Sequence, residues 1–252
     1  MKHYKKPYEL KNMAKDTLQG KYGASVLTMF LYSLITISVE LFISMLAAMT
    51  ANTAFALTNS ASVSTALSVV FDVIYLAAAI IMGVLQAGIA LFFLNLACGQ
   101  PFATANLFYG FKCDSGKTLI LSGALALCNA VCLYPYQYLT QSYLNSRESR
   151  TLLLTFVAMA IGLCIYIPVS LGLSQVFYLM LDYPDRSAKE ILSLSFRVMK
   201  GHKGRLFYLQ LTFIPMMLLC ALSFGIGLLW LNPYMQMTYT YFFLDIMQPV
   251  EN

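Results

Sequence analysis

The chain has 252 residues, of which 59% are hydrophobic and only 11% are charged. A soluble domain normally carries about a quarter charged residues. The net charge of +5 is not accompanied by the aromatic-interleaved basic platform of a nucleic-acid-binding protein. Composition therefore argues against a soluble domain and against nucleic acid as a partner, and it favours an integral membrane protein.

Apolar stretches long enough to cross a bilayer follow one another along the chain. About 20 mostly apolar residues are required, and such stretches lie at 24–49, 66–97, 119–139 and 152–181. A fifth, 207–247, is about twice as long as one span requires. Glycines interrupt it at 223–227, which predicts a tight turn between two helices. We therefore predict an all-α membrane protein with six transmembrane helices; a five-span chain is the competing topology.

The basic residues predict the orientation. All but two of the 16 Lys and Arg residues fall in three segments that alternate with the apolar stretches, and only Arg147 and Arg150 lie elsewhere. Basic residues near span ends are retained on the cytoplasmic side. Both termini are therefore expected in the cytoplasm, whereas the five-span alternative would place the C-terminus outside.

A short pattern recurs in the three basic segments. Each has a glycine followed within two residues by a lysine: Gly20 with Lys21, Gly110 with Lys112, and Gly201 with Lys203. The ends of the even-numbered spans are also similar, at 92–95, 177–180 and 242–245. We interpret the chain as one membrane domain of three degenerate repeats, 1–97, 98–181 and 182–252, each an interfacial helix followed by a membrane hairpin. Coincidence in a chain rich in Leu and Phe is the alternative.

Two amphipathic helices are predicted on the cytoplasmic side. In the third basic segment, Ser187 and Glu190 fit a capping box at a helix start. The cations Arg186, Lys189, Arg197 and Lys200 follow on one helical face, and with Lys203 they form a candidate lipid or partner face. The other helix, 8–19, is expected to bury Leu10, Met13, Ala14 and Leu18 and to expose Lys11 and Lys15. Such helices either lie in the headgroup plane or pack on the cytoplasmic end of the bundle.

These segments also carry a family resemblance. Residues 9–20, 181–203 and 225–234 resemble the bacterial integral membrane family catalogued as domain of unknown function 975, found mainly in Firmicutes. The resemblance implies a protein of the bacterial cytoplasmic membrane, and it implies no activity. The chain departs from the family pattern at 168–170, where Pro-Gly is common, and at Gly204, where an aromatic residue often stands.

A polar site is a further candidate. Glu40 and Asp72 are the only acids deep within the apolar spans, where a carboxylate costs on the order of 2.5–3.5 kcal/mol at the helix centre. A rise of about 1.5 Å per residue places both in the outer half of the bilayer at similar depth. Polar or small residues share their helix faces and a face of the last span, which gives the candidate set Glu40, Asp72, Thr36, Gln86, Asn232 and Gln236. These faces either pack helices together or line a cavity or a solute path.

No catalytic motif is present. The only histidines are His3 and His202, and the sequence lacks the nucleophile, metal and phosphate-binding signatures that would indicate an enzyme. We predict no enzymatic activity, no cofactor and no metal. The first hypothesis is an interaction or membrane-organising protein with anionic headgroups or a protein as partner. The second is a transporter or permease-like protein that uses the polar site for a small solute.

Overall fold

The computed structural model describes residues 4–58, 61–112 and 114–248. Within these ranges the chain is helical and contains no strand. The helices in chain order are α1 (Pro7–Leu18), α2 (Tyr22–Thr58), α3 (Ala61–Ala97), a 3₁₀ helix (Thr104–Phe108), α4 (Tyr109–Lys112), α5 (Ser115–Ser146), α6 (Ser149–Leu173), α7 (Val176–Asp182), α8 (Ala188–Val198), α9 (Lys203–Leu211), α10 (Ile214–Leu222) and α11 (Leu228–Met247).

Five segments are long and apolar enough to cross a membrane, so the chain has the character of a multi-pass membrane protein. They are Tyr22–Thr53, Ala66–Ala97, Ser115–Tyr143, Ser149–Asp182 and Lys203–Leu222. The first four contain the predicted spans. α11 is not among the five, because Asn232, Gln236 and Asp245 lower its hydropathy.

α2 and α3 are two long antiparallel helices. Each has 37 residues, or about 55 Å at 1.5 Å per residue, against a hydrocarbon core of about 30 Å. The Nε2 atom of Gln86 donates to the hydroxyl of Tyr32 at 3.4 Å, which shows that these two residues lie at the same level of the pair. Both helices therefore extend well beyond the thickness that one crossing requires.

α5 and α6 form a second antiparallel pair. The pair turns at Arg147, which has a left-handed φ of 57°. Gly162 allows the two backbones to approach closely, because a Cβ atom there would lie 2.6 Å from the carbonyl oxygen of Cys132. The side-chain amide of Asn129 donates to the Tyr166 hydroxyl at 3.3 Å across the same interface. After α6 the helix breaks at Ser174 and Gln175 before α7 begins.

The predicted C-terminal turn is present. α10 ends at Leu222 and α11 begins at Leu228. Gly225 has a φ of +82°, a left-handed conformation that favours glycine. Phe224, beside it, is 99% exposed, so an apolar ring lies fully open at the tip of this turn.

α1 packs against the C-terminal helices. Leu10, Ala14 and Leu18 are buried as predicted, whereas Met13 is half-buried. The expected exposure of Lys11 is wrong: its Nζ atom donates to the carbonyl oxygen of Thr212 at 3.0 Å and lies 4.0 Å from the ring centroid of Phe213. This contact with an apolar ring and a helix end leaves Lys11 half-buried.

The core is aromatic and contains the three similar segments 92–95, 177–180 and 242–245. Phe92 and Phe93, then Phe177 and Tyr178, then Phe242 and Phe243 are all buried. The rings of Tyr178 and Phe243 stack with centroids 5.0 Å apart. The three similar segments thus supply much of the central packing.

The three glycines of the recurring pattern do not have one backbone role. Gly20 and Gly201 follow α1 and α8 and have φ values of 75° and 88°. Gly110 lies inside α4 without a left-handed φ, and a Cβ atom there would lie 2.7 Å from the carbonyl oxygen of Val84. Gly20 and Gly201 terminate helices, whereas Gly110 permits close packing.

Candidate functional site

The structure does not gather the six residues of the predicted polar site into one place. Glu40 and Asp72 are exposed, and neither makes a hydrogen bond or an ion pair within the described part of the chain. The Thr36 hydroxyl donates back to its own helix, to the carbonyl oxygen of Tyr32 at 3.0 Å. Asn232 is half-buried on α11. Only Gln86 and Gln236 line a common cavity.

Glu40 and Asp72 also differ in depth, contrary to the expectation of a similar level. Tyr32 and Gln86 mark one level of the α2–α3 pair. Glu40 lies eight residues beyond Tyr32, and Asp72 lies fourteen residues beyond Gln86 in the same direction. At 1.5 Å per residue, Asp72 is about 9 Å farther out than Glu40. The sequence-based expectation is wrong because it took the apolar stretch, rather than the longer helix, as the unit of depth.

The cavity around Gln86 and Gln236 has a volume of about 220 Å³. Its walls come from α2, α3, the α6–α7 break, α7, α9 and α11. The lining residues are Tyr32, Gln86, Ile89, Ala90, Ser174, Gln175, Phe177, Tyr178, Leu206, Gln210, Gln236 and Tyr239. No Asp, Glu, Lys, Arg or His is among them, so the walls of this cavity are polar but uncharged.

The cavity meets the backbone irregularity between α6 and α7. Gln175 is only 1% exposed, and its Nε2 atom donates to the Ser174 hydroxyl at 2.9 Å. The Oε1 atom of Gln175 is buried and accepts no hydrogen bond from the described residues. Irregular backbone in a membrane protein is tolerated where it is buried in protein or lines a cavity, and Gln175 at this break is both buried and part of the cavity wall.

Some polar side chains of the cavity wall are hydrogen-bonded within the protein, and others are not. The Tyr178 hydroxyl pairs with Thr240 Oγ1 at 2.9 Å, and Gln86 pairs with Tyr32. The side-chain amides of Gln210 and Gln236 and the hydroxyl of Tyr239 have no partner in the described part of the chain. Donors and acceptors therefore remain available at the wall.

Sequence reasoning missed Gln175 and Gln210. Both are single glutamines in strongly apolar stretches, as Gln86 and Gln236 are. The signal that could have found them is a lone glutamine in each of four apolar stretches. A pattern along one helix face does not contain it, because the four glutamines belong to different helices.

The candidate lipid or partner face is on α8, whose two sides differ sharply. The capping box is present: the Ser187 hydroxyl accepts from the Glu190 backbone N–H, and the Glu190 carboxylate accepts from the Ser187 N–H. Ala188, Ile191, Ser195 and Met199 are buried, and the Ser195 hydroxyl donates to the carbonyl oxygen of Gly172 at 2.7 Å. Arg186, Lys189, Arg197 and Lys200 are all exposed on the other side.

Lys203 differs from the other four cations of this face. It is half-buried, donates to the carbonyl oxygen of Pro168 at 3.0 Å, and lies 5.1 Å from the ring centroid of Phe196. Its ammonium group therefore joins α9 to α6. The other four cations are exposed, and the guanidinium of Arg186 lies over the Tyr183 ring, 5.0 Å from its centroid.

A buried ion pair closes the same end of the bundle. Arg205 of α9 forms a salt bridge with Asp245 of α11, and the Asp245 carboxylate also accepts from the Lys5 backbone N–H at 3.3 Å. Arg205 in addition donates to the Lys5 carbonyl oxygen. We call Lys5, Arg205 and Asp245 the clasp. On α1, burial against Thr212 and Phe213 lowers the pKa of the Lys11 ammonium below its ordinary value.

Comparison with known proteins gives one match. A family model covers residues 1–249. The chain belongs to the family described as protein of unknown function (DUF975). This confirms the resemblance over nearly the whole chain, including the middle third. No curated protein and no solved structure matches it. In the part of the chain that the structure describes, no group of three or more His, Cys, Asp or Glu residues is placed to hold a metal ion.

Proposed function

We propose that this DUF975 protein is a non-enzymatic, multi-pass protein of the bacterial cytoplasmic membrane that acts by binding anionic headgroups on its cytoplasmic side. The observation that carries the proposal is the exposed cationic side of α8. In this proposal the protein crosses the bilayer six times as three hairpin units, and both termini lie in the cytoplasm.

The topology is supported by the charges and by the clasp. Lys5, the beginning of α9 at Arg205 and the end of α11 at Asp245 meet at one place. From this place the chain runs along α9 and α10, turns at 223–227 and returns along α11. It therefore ends on the side of the membrane from which it started. This favours six crossings over five.

The kind of partner is inferred from the side of α8 that does not pack against the protein. Ala188, Ile191 and Met199 of the apolar side pack against the protein, so this side is not available for insertion into lipid. The free side carries four cations, and its acids are Asp185 and Glu190, the latter folded back into the capping box. Arg197 and Lys200 at its far end have no acid beside them in sequence. Each cation near a membrane surface contributes about 1 kcal/mol of attraction to anionic lipid.

The test replaces Arg197 and Lys200 with Gln and measures lipid enrichment. Wild-type and variant proteins are extracted with a polymer into native nanodiscs from membranes of fixed phosphatidylglycerol content, and the lipids are quantified by mass spectrometry. Two cations correspond to roughly 2 kcal/mol, so the phosphatidylglycerol enrichment of the wild type should fall markedly, and it should be weaker at high salt.

The matched control replaces Arg147 and Arg150 with Gln. These two exposed cations lie at the turn between α5 and α6, on the side assigned to the exterior, and their loss should leave enrichment unchanged. Equal enrichment in the wild type and the α8 variant would contradict the proposal.

The transporter alternative retains one supporting observation, the uncharged cavity that includes Gln86 and Gln236. Glu40 and Asp72 are outside its lining. If a proton-coupled path ran through these acids, Glu40→Gln or Asp72→Asn would alter a measured flux in reconstituted vesicles. On the proposed function, neither substitution changes it.

A further inference from the structure

We infer that the cavity is a binding site for a small, neutral, hydroxyl-rich molecule, of the polyol or monosaccharide class. The inference is independent of the headgroup-binding face on α8, since the cavity and that face share no residue.

The position of the cavity points to a solute site within the membrane region. Four polar residues of the cavity lie seven to eleven residues from the helix end that adjoins a basic segment or the clasp. They are Tyr32 (from Tyr22), Gln86 (from Ala97), Gln210 (from Lys203) and Gln236 (from Met247). At 1.5 Å per residue, the cavity is about 10–17 Å from these helix ends along the helices, against a core of about 30 Å. Polar side chains at such depth require a partner.

The chemistry of the wall excludes an ion as the preferred ligand. A bound ion would leave water for a site with no charged side chain, which is costly. An amide offers two N–H donors and a carbonyl acceptor, so four glutamines match a ligand that both donates and accepts, as a hydroxyl does. The free amides of Gln210 and Gln236 and the buried Oε1 atom of Gln175 are the groups such a ligand would satisfy.

The volume of the cavity and its apolar walls narrow the class of ligand further. The volume of about 220 Å³ is below the roughly 300–1,000 Å³ of sites for drug-sized ligands. The apolar part of the wall includes the rings of Tyr32, Phe177 and Tyr239, which suit the C–H surface of a sugar ring or polyol chain. A free polyol and the sugar headgroup of a glycolipid share this chemistry.

The experiment measures binding to the full-length protein in nanodiscs. Glycerol, inositol, glucose and galactose are titrated by calorimetry, beside gluconate and glucosamine as charged compounds of similar size. We expect saturable binding of at least one neutral compound and none of the charged ones. In Gln210→Leu and Gln236→Leu the affinity should fall about threefold to tenfold each, the effect of losing a neutral hydrogen bond. Gln141→Leu, an exposed glutamine of α5 outside the cavity, is the matched control and should bind as the wild type does.

A second arm distinguishes the source of the ligand. Nanodiscs that contain a monoglucosyl diacylglycerol are compared with nanodiscs that lack it, and the melting temperature of the protein is followed. If the glycolipid raises the melting temperature and Gln210→Leu abolishes this effect, the inference is supported and the ligand is a sugar headgroup. This holds whether or not free sugar also binds. Because Gln210 is exposed on α9, this variant is expected to fold even where Gln236→Leu does not. The inference is overturned if no neutral compound binds in either arm, if gluconate or glucosamine binds equally well, or if Gln210→Leu binds as the wild type does.

Discussion

Asp245 holds the N-terminal segment and the C-terminal helices together. Its side chain is 3% exposed, and its carboxylate contacts the Arg205 guanidinium and the Lys5 backbone N–H. Arg205 also lies over the rings of Tyr4 and Phe242, with its guanidinium carbon about 5 Å from both centroids. A buried charge without its partner is far more costly than the pair is favourable. The clasp is therefore sensitive to the loss of either member.

Replacing Asp245 with Asn should destabilise the protein by up to about 3–5 kcal/mol, because it leaves the half-buried Arg205 charge without its carboxylate. The measurement is the melting temperature of the full chain in detergent, by intrinsic fluorescence. Asp114→Asn is the control, since Asp114 pairs with Lys117 but its side chain is 61% exposed. That surface pair should contribute at most about 1 kcal/mol. Equal shifts for the two variants would contradict the assigned role of the clasp.

At the scale of the elements, close packing between α5 and α6 depends on one glycine. The Cβ atom that alanine would add at Gly162 meets the backbone carbonyl oxygen of Cys132, which cannot move as a flexible side chain can. Small residues at helix contacts are the usual means of close approach in membranes. The two helices of this pair must separate, or bend, to accept anything larger.

Gly162→Ala should therefore lower the stability of the bundle, by about 1–3 kcal/mol as for other overpacked sites. Gly116→Ala tests the same substitution in the same helix pair, at a position with no atom within 4 Å of the added carbon. It should be neutral or stabilising by up to about 1 kcal/mol. Thermal unfolding of both variants in one detergent gives the comparison, and a neutral Gly162→Ala would show that the two backbones are not in close contact at this position.

At the scale of the whole molecule, the features that the sequence predicted are those that depend on periodicity and composition. The all-helical class, the four long apolar helices, the turn at 223–227 and the capping box of α8 each depend on neighbouring residues. The cavity depends on Gln86, Gln175, Gln210 and Gln236 meeting from separate elements, which no local pattern contains. The break at Ser174 and Gln175 was hidden for the same reason, because it lies inside an unbroken apolar stretch.

The residues of the predicted polar site do not meet in the structure, for a physical reason. Glu40 and Asp72 are rare charges in apolar sequence, so they attract attention, but the helices that carry them are longer than the bilayer is thick. In the proposed topology, residues toward the far end of such helices approach or pass the outer interface, where a carboxylate costs little. The uncharged glutamines nearer the middle of the bundle are the groups that the membrane would leave unsatisfied.

The most direct test of the account is the side of the membrane on which the end of the chain lies. Reporters that are active on one side only, a fluorescent protein for the cytoplasm and a phosphatase for the exterior, are fused after residue 252. The clasp of Lys5, Arg205 and Asp245 predicts a fluorescent fusion and an inactive phosphatase. An active phosphatase with a dark fluorescent fusion would mean five crossings, and it would contradict the hairpin that returns α11 to the cytoplasmic side.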